Sequence, residues 1–190
     1  YNNYEPGTKF QYCNLDYNMT GTVIERASGE RFDNYVSNHI LRPLKLYGGY
    51  CVDSLDSSRF VTIYDYDSTK KLVPSPGAYD PRRQEIQNYV MGYSTPIFSP
   101  TGGMKISAVD LAHYMTMHMK HGKYKGARII SKKSSRIMQT TVAKKEGYAL
   151  AIMHTDQLIP GKTLTGHTGS AYGLYSAMFF HPKQKFGIVV

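Results

Sequence analysis

The residues best suited to chemistry lie in two short stretches at opposite ends of the chain. The later stretch, residues 165–170, places His167 between small residues. Gly166 and Gly169 lack a Cβ, so another backbone or a ligand can approach closely there. An imidazole in such a place can hold or transfer a proton during a reaction. The alternative is a glycine-rich turn that happens to contain a histidine.

The earlier stretch is Tyr12-Cys13-Asn14. A tyrosine hydroxyl, with an ordinary pKa near 10, is a poor base, but ammonium groups nearby can stabilise a phenolate that accepts a proton from a serine. Asn14 could orient a substrate carbonyl or a neighbouring lysine. The alternative is a core tyrosine followed by an asparagine that caps the next helix.

The segments around Tyr12 read as helices. Apolar residues recur every four positions after Asn14, which predicts a helix with one apolar face, closed by Ser28-Gly29. A second helix is predicted to stop before Pro43. The residues that define the two apolar faces are Leu15, Met19, Val23 and Ala27 in the first helix, and Phe32, Val36 and Ile40 in the second.

Between residues 44 and 103 the helical periodicity is lost. Prolines interrupt this segment repeatedly, and tyrosines are scattered along it. Such a segment is either a lid or pocket wall, or a surface insertion with short helical turns. Beyond it, Ser107 followed by Asp110 resembles a capping box and begins another helix. Ser131 is predicted to cap a further short helix.

The last part of the chain has the alternation typical of strands. Four strands are predicted, at 148–154, 162–168, 175–181 and 186–190, and they are joined by hairpin turns. Helices followed by strands predict an α+β fold, with an antiparallel sheet flanked by helices. We expect residues 1–145 to form a mostly helical and irregular part and residues 146–190 to form the strands, both within one domain.

Composition excludes several classes of function. The chain has 190 residues and a net charge of +9, but its cations are scattered pairs, so no nucleic-acid partner is predicted. It has no membrane-spanning apolar run, and no glycine loop for a phosphate or a dinucleotide, so no cofactor is predicted. His118 and His121 share a helix face without a carboxylate, so no metal is predicted. Cys13 and Cys51 could be paired or free.

The order of the motifs resembles the class C β-lactamase family, which also contains D-alanyl-D-alanine carboxypeptidases, D-aminopeptidases and esterases. The resemblance covers nearly the whole chain. It is carried by residues 6–14, Ser28-Gly29, Pro43-Leu44, residues 101–104 with Ser107 and Asp110, and residues 166–170.

The resemblance implies a role for each site residue. Tyr12 would be the general base or proton shuttle, and Asn14 would contact the substrate amide. His167 stands where the family often has a lysine. Thr168, Gly169 and Ser170 would line the substrate, Gly169 by leaving room for the acyl chain and Ser170 through its backbone amide as an oxyanion donor. The reaction would be acyl transfer through a serine ester, which requires Tyr12 and His167 to face one cleft.

Two departures from the family pattern limit this interpretation. Histidine in place of lysine removes a permanent cation, which favours a peptidase or esterase over a true β-lactamase. The second departure is that the nucleophilic Ser-x-x-Lys is missing, because in the family it lies upstream of the tyrosine motif, at a place that would come before Tyr1. The match at Ser68-Thr69-Lys70-Lys71 has flanks unlike a buried helix.

We therefore expect a fragment, incomplete at both ends, of a β-lactamase-like serine hydrolase that is inactive alone. Its expected partners are a small-molecule or peptide substrate and the missing N-terminal part, and its expected location is periplasmic or extracellular. The alternative is a non-catalytic penicillin-binding-like module that binds peptide or cell-wall fragments.

Overall fold

A four-stranded antiparallel sheet with helices packed beside it gives the protein the α+β class that the sequence predicts. The computed structural model describes residues 4–190, so residues 1–3 of the predicted N-terminal part lie outside the described residues. Within the described range, no helix has both the length and the apolar character that crossing a membrane requires.

The helices lie mostly in the first two thirds of the chain. They are α1 (Asn14–Ser28), α2 (Phe32–Val36), a π-helical turn (Ser37–Leu41), α3 (Arg42–Leu44), α4 (Arg83–Gln87), α5 (Ala108–Met119) and α6 (Lys132–Met138). Short 3₁₀ turns at Val52–Ser54, Ser57–Arg59 and Pro76–Tyr79 interrupt the proline-rich region. Ser107 caps α5 and Ser131 caps α6, each accepting a backbone N–H in the first turn, as predicted.

The strands form one main sheet and three small antiparallel pairs. They are β1 (Gly48–Gly49), β2 (Tyr64–Tyr66), β3 (Leu72–Pro74), β4 (Lys105–Ile106), β5 (Lys123–Tyr124), β6 (Ala127–Arg128), β7 (Met153–Ile159), β8 (Lys162–Ala171), β9 (Leu174–His181) and β10 (Phe186–Val189). The main sheet has the order β10-β9-β8-β7, so each strand pairs antiparallel with its neighbour in sequence. The small pairs are β1 with β4, β2 with β3 and β5 with β6. Helix α5 packs against β9 and β10.

One cluster of the apolar core lies between the helices. It joins α2, the π-helical turn and α3 to α5 and β5, and burying each such side chain contributes about 1.5–3 kcal/mol. Its buried members are Phe32, Val36, Leu41, Leu44, Leu46, Met117 and Tyr124.

Several element boundaries differ from the predictions, and β8 runs to Ala171 instead of ending at residue 168. The second helix does not stop before Pro43 but continues to Leu44, after the π-helical turn Ser37–Leu41. Proline lacks an N–H, and a widened turn in front of it lets the backbone continue without the missing hydrogen bond. The first strand begins at Met153 rather than at residue 148, because Tyr148 makes only isolated bridges and Ala151 has a left-handed φ of 57°.

Helix α1 has its predicted bounds, and Gly29 caps its end, but its buried face is not the predicted one. Leu15, Met19 and Val23 are 57%, 52% and 62% exposed. The buried face carries Gly21, Thr22 and Glu25 instead. This face packs on the segment 92–101, where the Thr22 hydroxyl donates to the Ser94 carbonyl at 2.7 Å.

Candidate active site

Tyr12 and His167 face each other in the folded chain. Their ring centroids are 6.2 Å apart, and both side chains line one cavity of about 570 Å³. Tyr12 lies in the extended segment directly before α1, whereas His167 lies on β8. Tyr12 is 47% exposed, so a ligand entering the cavity can reach it. The structure thus brings together two stretches that are far apart in the sequence.

Tyr148 joins these two residues, although no sequence motif points to it. It is buried, and its hydroxyl oxygen lies 2.5 Å from Nε2 of His167. Its ring meets the Tyr12 ring edge to face at 6.0 Å and packs against Phe10 at 4.9 Å. The only sequence signal for Tyr148 was an apolar position at the start of a predicted strand, which does not point to a site.

The surroundings of His167 fix which ring nitrogen carries the proton. Nδ1 lies 2.6 Å from the backbone carbonyl of Thr168, and a carbonyl only accepts, so Nδ1 must donate. In the neutral ring Nε2 is then an acceptor, and the Tyr148 hydroxyl donates to it. Both nitrogens are therefore engaged, and His167 is held in one orientation.

The protonation of Tyr148 agrees with this arrangement. Burial, with smaller contributions from Tyr12 and Tyr17, raises the pKa of Tyr148 to about 12. Its hydroxyl therefore keeps its proton at neutral pH and can donate to His167. If the imidazole gains a proton, the same oxygen can accept from Nε2, so the contact is compatible with either charge state.

Thr168, Gly169 and Ser170 line the same cavity as Tyr12 and His167. Gly169 pairs with Ser176 of β9, and a Cβ added at Gly169 would lie 2.7 Å from the Ser176 hydroxyl oxygen. A larger residue would therefore displace Ser176, which also lines the cavity. The absent side chain at Gly169 keeps this wall of the cavity open.

Asn14 lies apart from this group. It is the first residue of α1, it is exposed, and it does not line the cavity. It does not cap the helix either, because the N-cap position belongs to Cys13, which makes no side-chain capping bond. Contact between Asn14 and a substrate amide stays a prediction.

Neither a lysine nor an arginine lines the cavity. No lining residue among 4–190 therefore supplies the cation that would stabilise a Tyr12 phenolate. Ser68 and Lys71 lie at the exposed turn between β2 and β3 rather than on a helix, as their flanking residues predicted. Among residues 4–190, no group of three or more histidine, cysteine, aspartate or glutamate side chains is placed to hold a metal ion.

An α+β domain with a tyrosine before a helix, facing a His-Thr-Gly strand of an antiparallel sheet, has the layout of penicillin-recognising serine hydrolases. The family model described as "Beta-lactamase" matches residues 2–190. The chain belongs to this family.

The chain is also similar to individual curated proteins. Protein flp of Staphylococcus aureus (strain MW2) is 23% identical over 195 residues, which cover 98% of this chain and 34% of that protein. This chain therefore spans about a third of the length of the curated relatives it matches.

Solved structures support the fold. An octameric penicillin-binding protein homologue from Pyrococcus abyssi aligns with a TM-score of 0.72 at 24% identity, covering 98% of this chain and 39% of that one. A D-stereospecific amidohydrolase from Streptomyces sp. also aligns with a TM-score of 0.72, at 21% identity, covering 98% of this chain and 51% of that one. At these identities the likeness establishes the fold alone.

Proposed function

We propose that this chain is part of a serine hydrolase that acts by acyl transfer on an amide or an ester. The observation that carries the proposal is the convergence of Tyr12, His167 and residues 168–170 on one cavity. Family membership supports it. The proposed substrates are cell-wall peptides, β-lactams or esters, with a peptide or ester favoured because His167 replaces a permanent cation.

The nucleophilic serine and its lysine would come from a segment of the whole protein that is not among these residues. The serine oxygen attacks the substrate carbonyl while its proton passes to Tyr12 in its phenolate form, and the Tyr12 hydroxyl so formed then protonates the leaving group. A water molecule then attacks the serine ester and gives its proton to Tyr12. Tyr12 returns that proton to the serine oxygen as the ester breaks. The lysine of the same segment would supply the positive charge that the lining of the cavity lacks.

His167 and Tyr148 would support Tyr12 rather than replace it as a base. Both nitrogens of His167 are already hydrogen-bonded, to the Thr168 carbonyl and to the Tyr148 hydroxyl. Tyr12 has no such bond among the residues 4–190, so its hydroxyl is the one free to exchange a proton with a substrate.

The test uses the whole protein with a fluorescent penicillin and a chromogenic ester. Replacing Tyr12 by phenylalanine (Tyr12→Phe) is expected to lower the acylation rate about 100-fold or more, because it removes the proton-transfer group. Tyr35→Phe is a matched control, since Tyr35 also stacks on a histidine, His39, but lies outside the cavity. No labelling and no turnover by the unaltered protein would contradict the proposal.

A non-catalytic module that binds peptide or cell-wall fragments is the second candidate. It is favoured by the position of the one Ser-x-x-Lys match, Ser68 to Lys71, away from the cavity. Saturable binding of a peptide or a penicillin that is fully reversed on dilution would support it over the hydrolase.

We also propose that the whole protein works outside the cytoplasm, as the resemblance implies, and that no nucleic acid is a partner. Digestion of the protein by protease added to intact cells or spheroplasts would support this location. Full protection until the membrane is lysed would contradict it.

A further inference from the structure

A second cavity of about 500 Å³ lies beside the candidate active site and shares no lining residue with it. It is formed where the proline-rich region meets the start of α5 and the tip of the β8–β9 hairpin. Most of its wall is apolar, and Leu55, Phe60, Ile63, Met104 and Ile106 contribute to it. A cavity of this size and character fits a small organic ligand.

The walls of this second cavity are held in place from several sides. Phe60 and Tyr79 stack with ring centroids 4.6 Å apart and an interplanar angle of 11°. The Tyr79 hydroxyl donates to the Val61 carbonyl at 2.9 Å, which fixes this aromatic wall. Gly173 at the hairpin tip approaches the β2 backbone so closely that a Cβ there would overlap the Tyr64 carbonyl. The cavity is therefore formed before any ligand enters.

The charged residues in the lining are both cationic, Arg59 and Lys105, and no carboxylate lines the cavity. Arg59 is already engaged, because its guanidinium lies 3.9 Å from the centre of the Tyr47 ring. It also lies near Asp56. The hydrogen bonds from Ser58 are the main reason why the pKa of Asp56 is lowered, and the charge of Arg59 lowers it further.

Lys105 differs from Arg59. Among residues 4–190 its ammonium group takes part in no ion pair and no side-chain hydrogen bond. The ammonium lies beside Gly103, another lining residue, where an added Cβ would be 3.8 Å from Nζ. Burial lowers the pKa of Lys105 and nearby Arg82 acts in the same direction, whereas Cys51 acts against it. A partly buried cation without an anion is less stable than the same cation paired with one.

We propose that this second cavity binds a small ligand with an apolar body and a carboxylate group. The apolar body fills the space between the Phe60–Tyr79 stack and Met104, and the carboxylate pairs with Lys105. The binding needs no nucleophile, so it stands apart from the proposed hydrolase activity.

The test uses 4-phenylbutyrate and its uncharged analogue 4-phenylbutyramide as probes with the whole protein. Methionine methyl groups labelled with ¹³C report the location, because Met104 lines the second cavity and Met153 lines the candidate active site. Met104→Leu and Met153→Leu assign the two signals. The expected result is a saturable shift of the Met104 signal with 4-phenylbutyrate and an unchanged Met153 signal.

Lys105→Met keeps most of the side-chain length but removes the charge. It is expected to weaken 4-phenylbutyrate binding about tenfold and to leave 4-phenylbutyramide binding unchanged. Lys123→Met, at an exposed position on β5, is the control and is expected to change neither.

Three results would overturn the proposal. The first is equal affinity for the acid and the amide in the unaltered protein. The second is a shift of Met153 without a shift of Met104. The third is no Met104 shift at about 10 mM probe, a concentration that would fill a site with a Kd of about 1 mM. Because labelling by penicillin is scored separately, loss of one proposal leaves the other intact.

Discussion

The hydroxyl of Tyr148 donates to Nε2 of His167, whereas the Thr168 carbonyl holds the proton on Nδ1. Replacing Tyr148 by phenylalanine (Tyr148→Phe) keeps the ring packing with Phe10 and Tyr12 but removes this hydrogen bond. Because a neutral hydrogen bond contributes about 1 kcal/mol, kcat/KM of the whole protein is expected to fall about fivefold to tenfold, mainly in kcat.

A kinetic change alone would not distinguish positioning from a loose fold, so the hydrogen bond to Nε2 is measured directly. The ¹⁵N shifts of the His167 ring are expected to show the neutral Nδ1–H tautomer in both proteins, because the Thr168 carbonyl is unchanged, and a displaced Nε2 signal in the Tyr148→Phe variant, which lacks the donor. Tyr35→Phe is the control, because Tyr35 stacks on His39 without a hydrogen bond between the rings. Unchanged kinetics together with an unchanged Nε2 signal would refute the positioning role.

His118 on α5 gives the protein a predicted sensitivity to acid. It is 3% exposed, and burial lowers its pKa to about 4 from the ordinary value of 6.5. The unfolded chain therefore binds a proton before the folded one does, and stability that is complete above pH 6.5 is lost as the pH falls towards 4. The loss of unfolding free energy from this group is up to about 3 kcal/mol.

Urea unfolding at a series of pH values measures this effect. The His118→Gln variant is expected to have a lower unfolding free energy at pH 7. Its unfolding free energy should fall less than that of the unaltered protein between pH 6.5 and 4, because it lacks the contribution of His118. Should the variant and the unaltered protein decline in parallel over that interval, His118 would not be the responsible group.

At the scale of elements, the buried Glu25 connects α1 to two other segments. Its carboxylate accepts the Phe32 N–H at 2.9 Å at the start of α2, and the Gly92 N–H at 3.0 Å. It also accepts the Tyr89 hydroxyl at 2.5 Å. Glu25→Ala leaves these buried donors without a partner, so the unfolding free energy is expected to fall by about 3 kcal/mol or more.

The exposed Glu146 provides the control, and Glu146→Ala is expected to change the unfolding free energy by less than about 0.5 kcal/mol. Chemical denaturation of both variants gives the comparison. A similar small change in each would show that Glu25 does not hold these segments together.

The same helix shows what the sequence could and could not predict. The bounds of α1 follow from local rules, namely residue periodicity and a glycine cap, and Ser107 and Ser131 cap their helices for equally local reasons. Which face of α1 is buried depends on the segment 92–101, which packs on Gly21 and Thr22. That contact joins residues 72 positions apart in the sequence, and the apolar periodicity indicates a different, neighbouring face.

At the scale of the whole molecule, local sequence patterns likewise predict only part of the candidate site. The proximity of Tyr12 and His167 could be predicted because each lies in a short motif and the resemblance supplied their order. Tyr148 lies in no motif, and its position between the two rings depends on the irregular stretch before β7. The second cavity could not be predicted either, because its walls come from four separate parts of the chain.

The exposed apolar face of α1 leads to a prediction for the whole protein. Leu15, Met19 and Val23 form one stripe, each more than half exposed, on the helix that begins two residues after Tyr12. We propose that the segment carrying the nucleophile packs on this stripe, which would bring its serine near the cavity. Met19→Lys should then lower the unfolding free energy of the whole protein by about 2 kcal/mol, since a buried apolar side chain would be replaced by a charge.

Val142→Lys is the matched control, because Val142 is 64% exposed and does not belong to α1. It is expected to change the unfolding free energy by less than about 0.5 kcal/mol. Met19→Lys should also slow labelling by fluorescent penicillin, because a displaced segment would misplace its serine. Equal, small effects of both substitutions on stability and labelling would mean that the stripe faces solvent and that the nucleophile approaches the cavity from another side.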